Sequence, residues 1–257
     1  MVARYWPDEY INKRRTAKAA LNTLRAGQRV FVGSSCGEPQ HLVQALVDAG
    51  ERFSDLEIVR LMSIENSPIT RLALDSQSSI HFSIRNIYQG SATAKHLSAN
   101  RPFITPMNIS TVPGLFYKRH LPLHAALIQT SPPDDFGWMS MGISVDVGIA
   151  AADAADIVIV QVNSEMPRVL GHSFIHVNDV DYIVEHDEPL LTVDQLPEFE
   201  TAHTIARLVA NLIEDGSTFQ LGLGATPKAI LLALAEKNDL GVHTQFIIDG
   251  IMDLVSM

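Results

Sequence analysis

Apolar positions along this chain alternate between two patterns. Residues 124–129 and 157–162 hold short, nearly continuous apolar runs, the form taken by strands covered on both faces of a parallel sheet. Other segments repeat apolar residues every three or four positions, as helices with one buried face do. The first is 16–26, with Ala20, Leu21 and Leu24 on one stripe and Gly27 as its stop. Strands are predicted at 30–32 and 56–61, and more weakly at 80–84 and 103–104. Residues 131–142 are rich in turn formers, and 146–155 reads as an Ala-rich helix. Strand, loop, helix and strand in succession predict an α/β fold with a mostly parallel sheet flanked by helices.

Residues 184–200, acidic and holding Pro189 and Pro197, read as a linker. Beyond it Ile205, Leu208, Val209, Leu212 and Ile213 form a helical stripe. A strand at 218–221, a helix at 227–236 and a strand at 242–246 follow. Two domains are therefore expected, 1–195 and 196–257, the second carrying only the opening of an α/β unit.

One unit occurs twice. A helix closed by Gly27 leads to strand 30–32, a loop with Gly33 and Gly37, Pro39, and a new helix pattern from Leu42 to Val47. A helix closed by Gly216 leads to strand 218–221, a loop with Gly222 and Gly224, Pro227, and a helix pattern from Ile230 to Leu234. This arrangement places a tight loop at a strand's carboxyl end and a helix N-terminus, where backbone N–H groups face a bound anion or a developing oxyanion. Two such loops predict related domains whose loops line one cleft.

Composition narrows the function. The chain has 257 residues, 46% of them hydrophobic, enough for a sizeable core, and a net charge of -10 with no basic run, which argues against nucleic acid as a partner. One cysteine excludes an internal disulfide framework and suits a reducing compartment. The first residues lack the apolar core of a signal peptide, and no run is long enough to span a bilayer, so a cytoplasmic location without membrane contact is expected.

Several motifs compete for the chemistry. Gly33-Ser34-Ser35-Cys36-Gly37 fits the G-x-S-x-G elbow of serine hydrolases, with Ser35 as nucleophile. Cys36 beside His41 is a weaker thiol alternative. The ten histidines show no metal-binding spacing; His172 and His176 fall on one face of a short strand without a third ligand, and no metal site is expected. Trp6, Trp138, Met139 and Met141 read as packing residues.

The stretches 32–39, 128–134, Gly137, 142–146, Val162-Asn163 with Met166-Pro167-Arg168, 173–177, 212–224 and 240–244 with Asp249-Gly250 are similar, in order, to those of the acetyl-CoA hydrolase/transferase family, which includes the 4-hydroxybutyrate and acetate CoA-transferases. The resemblance covers almost the whole chain, and family members run well beyond its end. It implies a CoA-transferase-like α/β fold of two related domains, the second incomplete here. It also implies movement of CoA between an acyl-CoA and a small carboxylate such as acetate, butyrate or 4-hydroxybutyrate. A glutamate attacks the thioester, passes through a mixed anhydride and holds CoA as a glutamyl thioester. Gln220, Leu221, Gly222, Leu223, Gly224 and Ala225 are then the CoA-binding and oxyanion segment. Gly33, Gly37 and Pro39 are the wall for the carboxylate partner.

The family's glutamate falls after His243-Thr244, where this chain has Gln245. A neutral amide cannot attack a thioester as a carboxylate does, though its shape is nearly that of Glu. Asp239 and Asp249 are the nearest carboxylates, one before and one after the strand. His172 stands where family members commonly carry Asp. A coenzyme A thioester is expected as substrate and no tightly bound cofactor. Three readings stay open: a CoA-transferase, a non-catalytic acyl-CoA-binding or assembly subunit, and an acyl-CoA or serine hydrolase using Ser35. A homo-oligomer, or completion by another chain, is the expected assembly, because strand 242–246 would otherwise leave an open sheet edge.

Overall fold

A computed structural model describes residues 5–53, 55–62, 64, 66–74, 82–88, 102–193 and 199–256. The chain divides into two compact units, Met1–Thr192 and Val193–Met257. In the first, strands β1 (Arg29–Val32), β2 (Glu57–Arg60), β3 (Ser83–Asn86), β4 (Pro102–Ile104), β5 (Ala125–Thr130), β6 (Trp138–Ser140), β7 (Val158–Val162), β8 (Phe174–His176) and β9 (Tyr182–Glu185) follow in order. Seven of them form one sheet, in the order β4-β3-β2-β1-β5-β7-β9, and every pairing in it is parallel. The chain thus winds outward from β1 through β2 to β4, then restarts at β5 on the other side of β1. The strand order reverses between β1 and β5, and crevices at such points, beyond the carboxyl ends of the strands, are where open α/β sheets bind ligands.

Alternate residues of the central strands feed two cores. Phe31, Val59, Ala126, Ile128, Val158 and Val160 face one side, packed with Val112 and Phe116 of the helix Val112–Tyr117 and with Ala150–Ala152 of the helix Gly148–Ala154. Val30, Val32, Ile58, Leu127 and Ile159 face the other, with Ala20 and Leu21 of the helix Ala17–Leu21 and Leu42, Val43 and Leu46 of the helix Gln40–Asp48. All six residues of β5 and all five of β7 are buried, which is why both read as continuous apolar runs. Each buried Leu, Ile, Val or Phe contributes about 1.5–3 kcal/mol of transfer free energy.

Local departures from expectation have local causes. The first predicted helix stops at Leu21, capped at its start by the Thr16 hydroxyl, which accepts from Ala19 N at 3.2 Å. Thr23 Oγ1 then donates to Ala20 O, and Gln28 accepts from Arg25 N, so the chain turns early toward Gly27, whose φ of +76° enters β1. Within the turn-rich stretch 131–142, β6 pairs antiparallel with β8. The start of the predicted linker is the edge strand β9; residues 194–198 of it lie outside those described, as do 80 and 81 of the weak strand, which is found at 83–86.

The second unit repeats the β-loop-α-β grammar. Helix Glu200–Ala210 leads to β10 (Thr218–Phe219), helix Ala225–Ala233, β11 (Gly241–Val242) parallel to β10, and helix Asp249–Ser256. The predicted leucine stripe is not the packed face of the unit's first helix: Leu208 is 63% exposed, and Leu212, two residues past the helix end, is 82% exposed. Ala202 and Ala206 pack instead on Ala229 of the next helix, because small residues at i and i+4 let two helices approach closely. That next helix begins at Ala225 with Gly224 as N-cap, so Pro227 lies inside its first turn, where its missing N–H is not needed, and not at its start. The final predicted strand ends at Val242, not Phe246.

Candidate functional site

The loop 33–39 leaves β1 at the point where the strand order reverses. Gly33 N extends the ladder to Leu127 O at 2.8 Å. The Ser34 hydroxyl accepts from Leu61 N at 2.7 Å, tying the loop to the end of β2. Ser35 adopts a left-handed φ of +57°, and a single 3₁₀ turn, Ser35–Gly37, follows. A non-glycine residue in that region stores strain that the surroundings must hold. The loop 142–147 supplies one brace: Ser144 Oγ donates to Ser34 O at 2.9 Å. A Cβ on Gly37 would overlap Ser144 Cβ, so glycine is required there for close approach.

Beneath the loop lies an ion pair. Glu38 and Arg60 are each 1% exposed. Arg60 donates to Glu38 Oε2 (3.4 Å), Ser67 Oγ (3.2 Å), Thr70 Oγ1 (3.0 Å) and Asn86 Oδ1 (3.1 Å), while Ser67 Oγ sits 2.7 Å from both Glu38 oxygens. Burial pushes the Glu38 carboxyl above its ordinary range, against the pull of Arg60 and Ser67; burial likewise lowers Arg60.

A second buried network rises from β5 and β7. Gln129 Nε2 donates to Glu38 O at 3.1 Å, and Gln129 Oε1 accepts from Asn163 Nδ2 at 2.8 Å. Gln161 Nε2 donates to Glu188 Oε1 at 2.6 Å, and Gln161 Oε1 accepts from Leu42 N at 3.2 Å. Glu188 Oε1 also accepts from His41 N at 3.1 Å. The N-terminus of helix Gln40–Asp48 is thus filled by the protein's own Glu188 and Gln161. Pro39 is the N-cap of that helix. The His41 ring stacks on His186 at 3.8 Å, and burial, then the neighbouring His186, lower its pKa, with Glu188 opposing.

The rival nucleophiles lack their partners. No histidine or carboxylate among the described residues hydrogen-bonds the Ser35 hydroxyl, so the contact between nucleophile and base is missing. Burial raises the Cys36 thiol above its usual range, against a hydrogen bond from Ser35, the opposite of an activated thiolate. His176 accepts from Asn178 N and its Nε2 lies 2.9 Å from Phe136 O, a structural role. No group of three or more His, Cys, Asp or Glu that would hold a metal ion occurs among the described residues.

In the second unit, His243 N continues the β10–β11 ladder to Phe219 O at 3.0 Å. The Thr244 side chain then takes over: its hydroxyl donates to Leu221 O at 2.7 Å and accepts from Leu221 N at 3.3 Å. A side chain replacing the ladder is why the strand ends before Gln245. The same clip fastens the segment bearing Gln245 to the loop 220–224. Gln220 Nε2 donates to Leu221 O at 3.1 Å, Leu221 and Ala225 are buried, and Leu223 and Gln245 are exposed. Gly222 has open space around its Cα, and Gly224 has a φ of +127°, a conformation nearly confined to glycine. Asp239 sits in a left-handed turn before β11, and Asp249 opens the last helix.

A parallel sheet whose strand order reverses at a glycine loop, followed by a second unit of the same grammar, defines the class as doubly wound α/β. Comparison narrows the class. The family described as acetyl-CoA hydrolase/transferase N-terminal domain matches residues 3–194. The 4-hydroxybutyrate coenzyme A transferase of Clostridium kluyveri is 40% identical over 250 residues, covering 97% of this chain and 57% of its own length. RipA from Yersinia pestis superposes with a TM-score of 0.88 at 26% identity, covering 98% of this chain and 60% of that one. A 4-hydroxybutyrate CoA-transferase from Porphyromonas gingivalis superposes with a TM-score of 0.79 at 29% identity, covering 98% and 59%. The chain belongs to the acetyl-CoA hydrolase/transferase family, and it spans between half and two thirds of the length of these relatives. No helix among the described residues is long and apolar enough to cross a membrane.

Sequence reasoning missed Arg60, Gln129, Gln161, Asn163 and Glu188. Arg60, Gln129, Gln161 and Asn163 each stand out singly as polar residues interrupting or following the apolar strands β2, β5 and β7 at their carboxyl ends, whereas Glu188, beyond β9, has no such mark and nothing in the spacing joins the five.

Proposed function

We propose that this chain carries the acyl-CoA-binding half-site of a CoA-transferase, with Gln245 in the place of the nucleophilic glutamate. The observation that supports it is the Thr244 clip, which joins the glycine loop to the segment bearing Gln245 at the carboxyl ends of two parallel strands. In a transferase of this kind a glutamate oxygen attacks the thioester carbonyl and expels the CoA thiolate, leaving a mixed anhydride. The thiolate then attacks the glutamyl carbonyl, releasing the carboxylate and forming a glutamyl thioester. Each step builds an oxyanion, and the N–H groups of the segment Gln220, Leu221, Gly222, Leu223, Gly224 and Ala225 are its proposed donors. Gly33, Gly37 and Pro39 are the proposed carboxylate wall, and a small carboxylate is the second substrate.

Gln245 favours a second reading. With an amide at that position the chain binds an acyl-CoA without forming a covalent intermediate, as a subunit whose site is completed by another chain or copy. Titration calorimetry with CoA tests the binding that both readings share. The chain should bind CoA, and Gly224→Val should abolish binding, because a β-branched residue cannot hold φ of +127°. Unchanged affinity in that variant, or no binding by the parent chain, would reject the assignment of this loop.

A further inference from the structure

We propose that Glu188 is a positioning residue for the glycine loop. It deepens the carboxylate-wall part of the reading above. Glu188 lies three residues beyond β9, on the strap 186–193 that leaves the sheet, yet its carboxylate turns inward with a side chain only 18% exposed. Its Oε1 receives His41 N (3.1 Å) and Gln161 Nε2 (2.6 Å). Its backbone is held by one side chain, Asn163, which donates through Nδ2 to Glu188 O (2.8 Å) and accepts through Oδ1 from Glu188 N (3.3 Å). Both of those partners reach Gln129 Oε1: Asn163 Nδ2 at 2.8 Å and Gln161 Nε2 at 3.4 Å.

Gln129 completes the link, since its Nε2 donates to the carbonyl of Glu38 in the loop itself. The carboxylate therefore sets the loop from two directions. Directly, it fixes the helix start that follows Pro39, because an anion accepting N–H bonds at a helix N-terminus is favoured by the partial charge there. Indirectly, through Gln161 and Gln129, it fixes the Glu38 carbonyl between Gly37 and Pro39. The other ties of the strap do not reach the Glu38 carbonyl through Gln129: His186 N donates to Val162 O and its ring stacks on His41, Asp187 accepts from Ser164 N, Gln40 donates to Pro189 O, and Asn66 to Thr192 O.

The chemistry of Glu188 also limits what the helix N-terminus does. An internal carboxylate already neutralises that end, so a substrate carboxylate is received by the loop and not by the helix. Glu188 is a fixed substitute for an anion, and the loop's shape depends on its staying in place.

Hydrogen–deuterium exchange followed by mass spectrometry on the full chain tests this without requiring any activity. Three variants are compared: Glu188→Ala, Glu188→Gln and Asp187→Ala. Loss of a charged, largely shielded acceptor should accelerate exchange across 33–42 by about tenfold or more in Glu188→Ala. Glu188→Gln keeps an oxygen at Oε1 without the charge and should bring the rates part of the way back to those of the parent. Asp187→Ala should leave 33–42 unchanged. Exchange at 126–129 in β5 should not move in any variant. Unchanged exchange at 33–42 in Glu188→Ala overturns the proposal, as does acceleration spread equally over β5, which would mean that Glu188 only supports the fold. Exchange at 33–42 in Glu188→Gln as fast as in Glu188→Ala overturns it too, since the oxygen contacts to His41 N and Gln161 Nε2 would then contribute nothing to setting the loop. A chain that binds no CoA leaves each of these outcomes readable.

Discussion

Replacing Arg60 with methionine isolates what the buried ion pair does. The guanidinium makes four side-chain contacts, to Glu38, Ser67, Thr70 and Asn86, at 3.0–3.4 Å. Methionine fills much of the volume but leaves the Glu38 carboxylate buried with Ser67 as its remaining hydrogen-bonding side chain and only the more distant charge of Arg71 to offset it. Breaking a buried pair on one side costs about 3–5 kcal/mol, a large share of the roughly 5–15 kcal/mol that holds a domain folded. For a unit of this size that corresponds to a midpoint lower by about 6–20 °C. Arg60→Met combined with Glu38→Gln should recover much of the loss, because the uncompensated charge is gone and Ser67 still has a partner. The pH dependence carries a definite sign. Burial raises the Glu38 pKa in the folded chain, and more so without Arg60. A raised carboxyl favours folding below its unfolded value and loses that contribution as pH rises through the folded value. The defect in Arg60→Met should therefore be smaller near pH 5 than at pH 8, while the double variant should show little of this difference. Urea titrations at both pH values measure it. A defect below about 1 kcal/mol, or a double variant no more stable than Arg60→Met, would refute the reasoning.

Gly37→Ala should destabilise by about 1–3 kcal/mol, because its methyl group would overlap Ser144 Cβ and come within 3.0 Å of Ser144 Oγ. Adding Ser144→Gly should relieve most of that, and thermal melts of the single and double variants would expose the coupling or its absence. The lowered pKa of His41 predicts that its contribution to stability is full above about pH 6.5 and is lost as pH falls through the folded value, with His186 and Glu188 as the charged groups facing it. Proteolysis of the strap 186–193 should accordingly speed up from pH 8 to pH 5.5, and His41→Phe, which keeps a stacking ring, should remove that dependence. Glu57 points the same way at lower pH. Burial alone would raise its carboxyl, but Arg85 and Arg29 outweigh it and hold it below the usual range, so Glu57→Gln should flatten the loss of stability as pH falls below about 4.5.

The parallel sheet was legible in the sequence because β5 and β7 are buried on both faces, which leaves an unmistakable apolar run. The glycine loops were legible because Gly37 and Gly224 answer backbone demands that few other residues meet. Helix ends were less so. Side chains decide them, through Thr23 and Gln28 after the first short helix and Thr244 after β11, and such competition leaves no periodic trace. The stripe Leu208 and Leu212 misled because apolar periodicity reports that a face is to be covered, not what covers it within the described residues. The polar network of Gln129, Gln161, Asn163 and Glu188 joins residues far apart in the chain, so no local spacing announces it.

The central claim, that Gln245 occupies the nucleophile's place in a CoA-transferase site, is tested most directly by intact-mass measurement after incubation with acetyl-CoA. The unmodified chain should show no covalent change. Gln245→Glu, which alters almost no volume and restores a carboxylate, should gain a CoA-sized increment that hydroxylamine removes. An adduct on the unmodified chain would place the nucleophile elsewhere, with Ser35 tested first, and the absence of an adduct on both forms would contradict the claim that this segment forms the catalytic site.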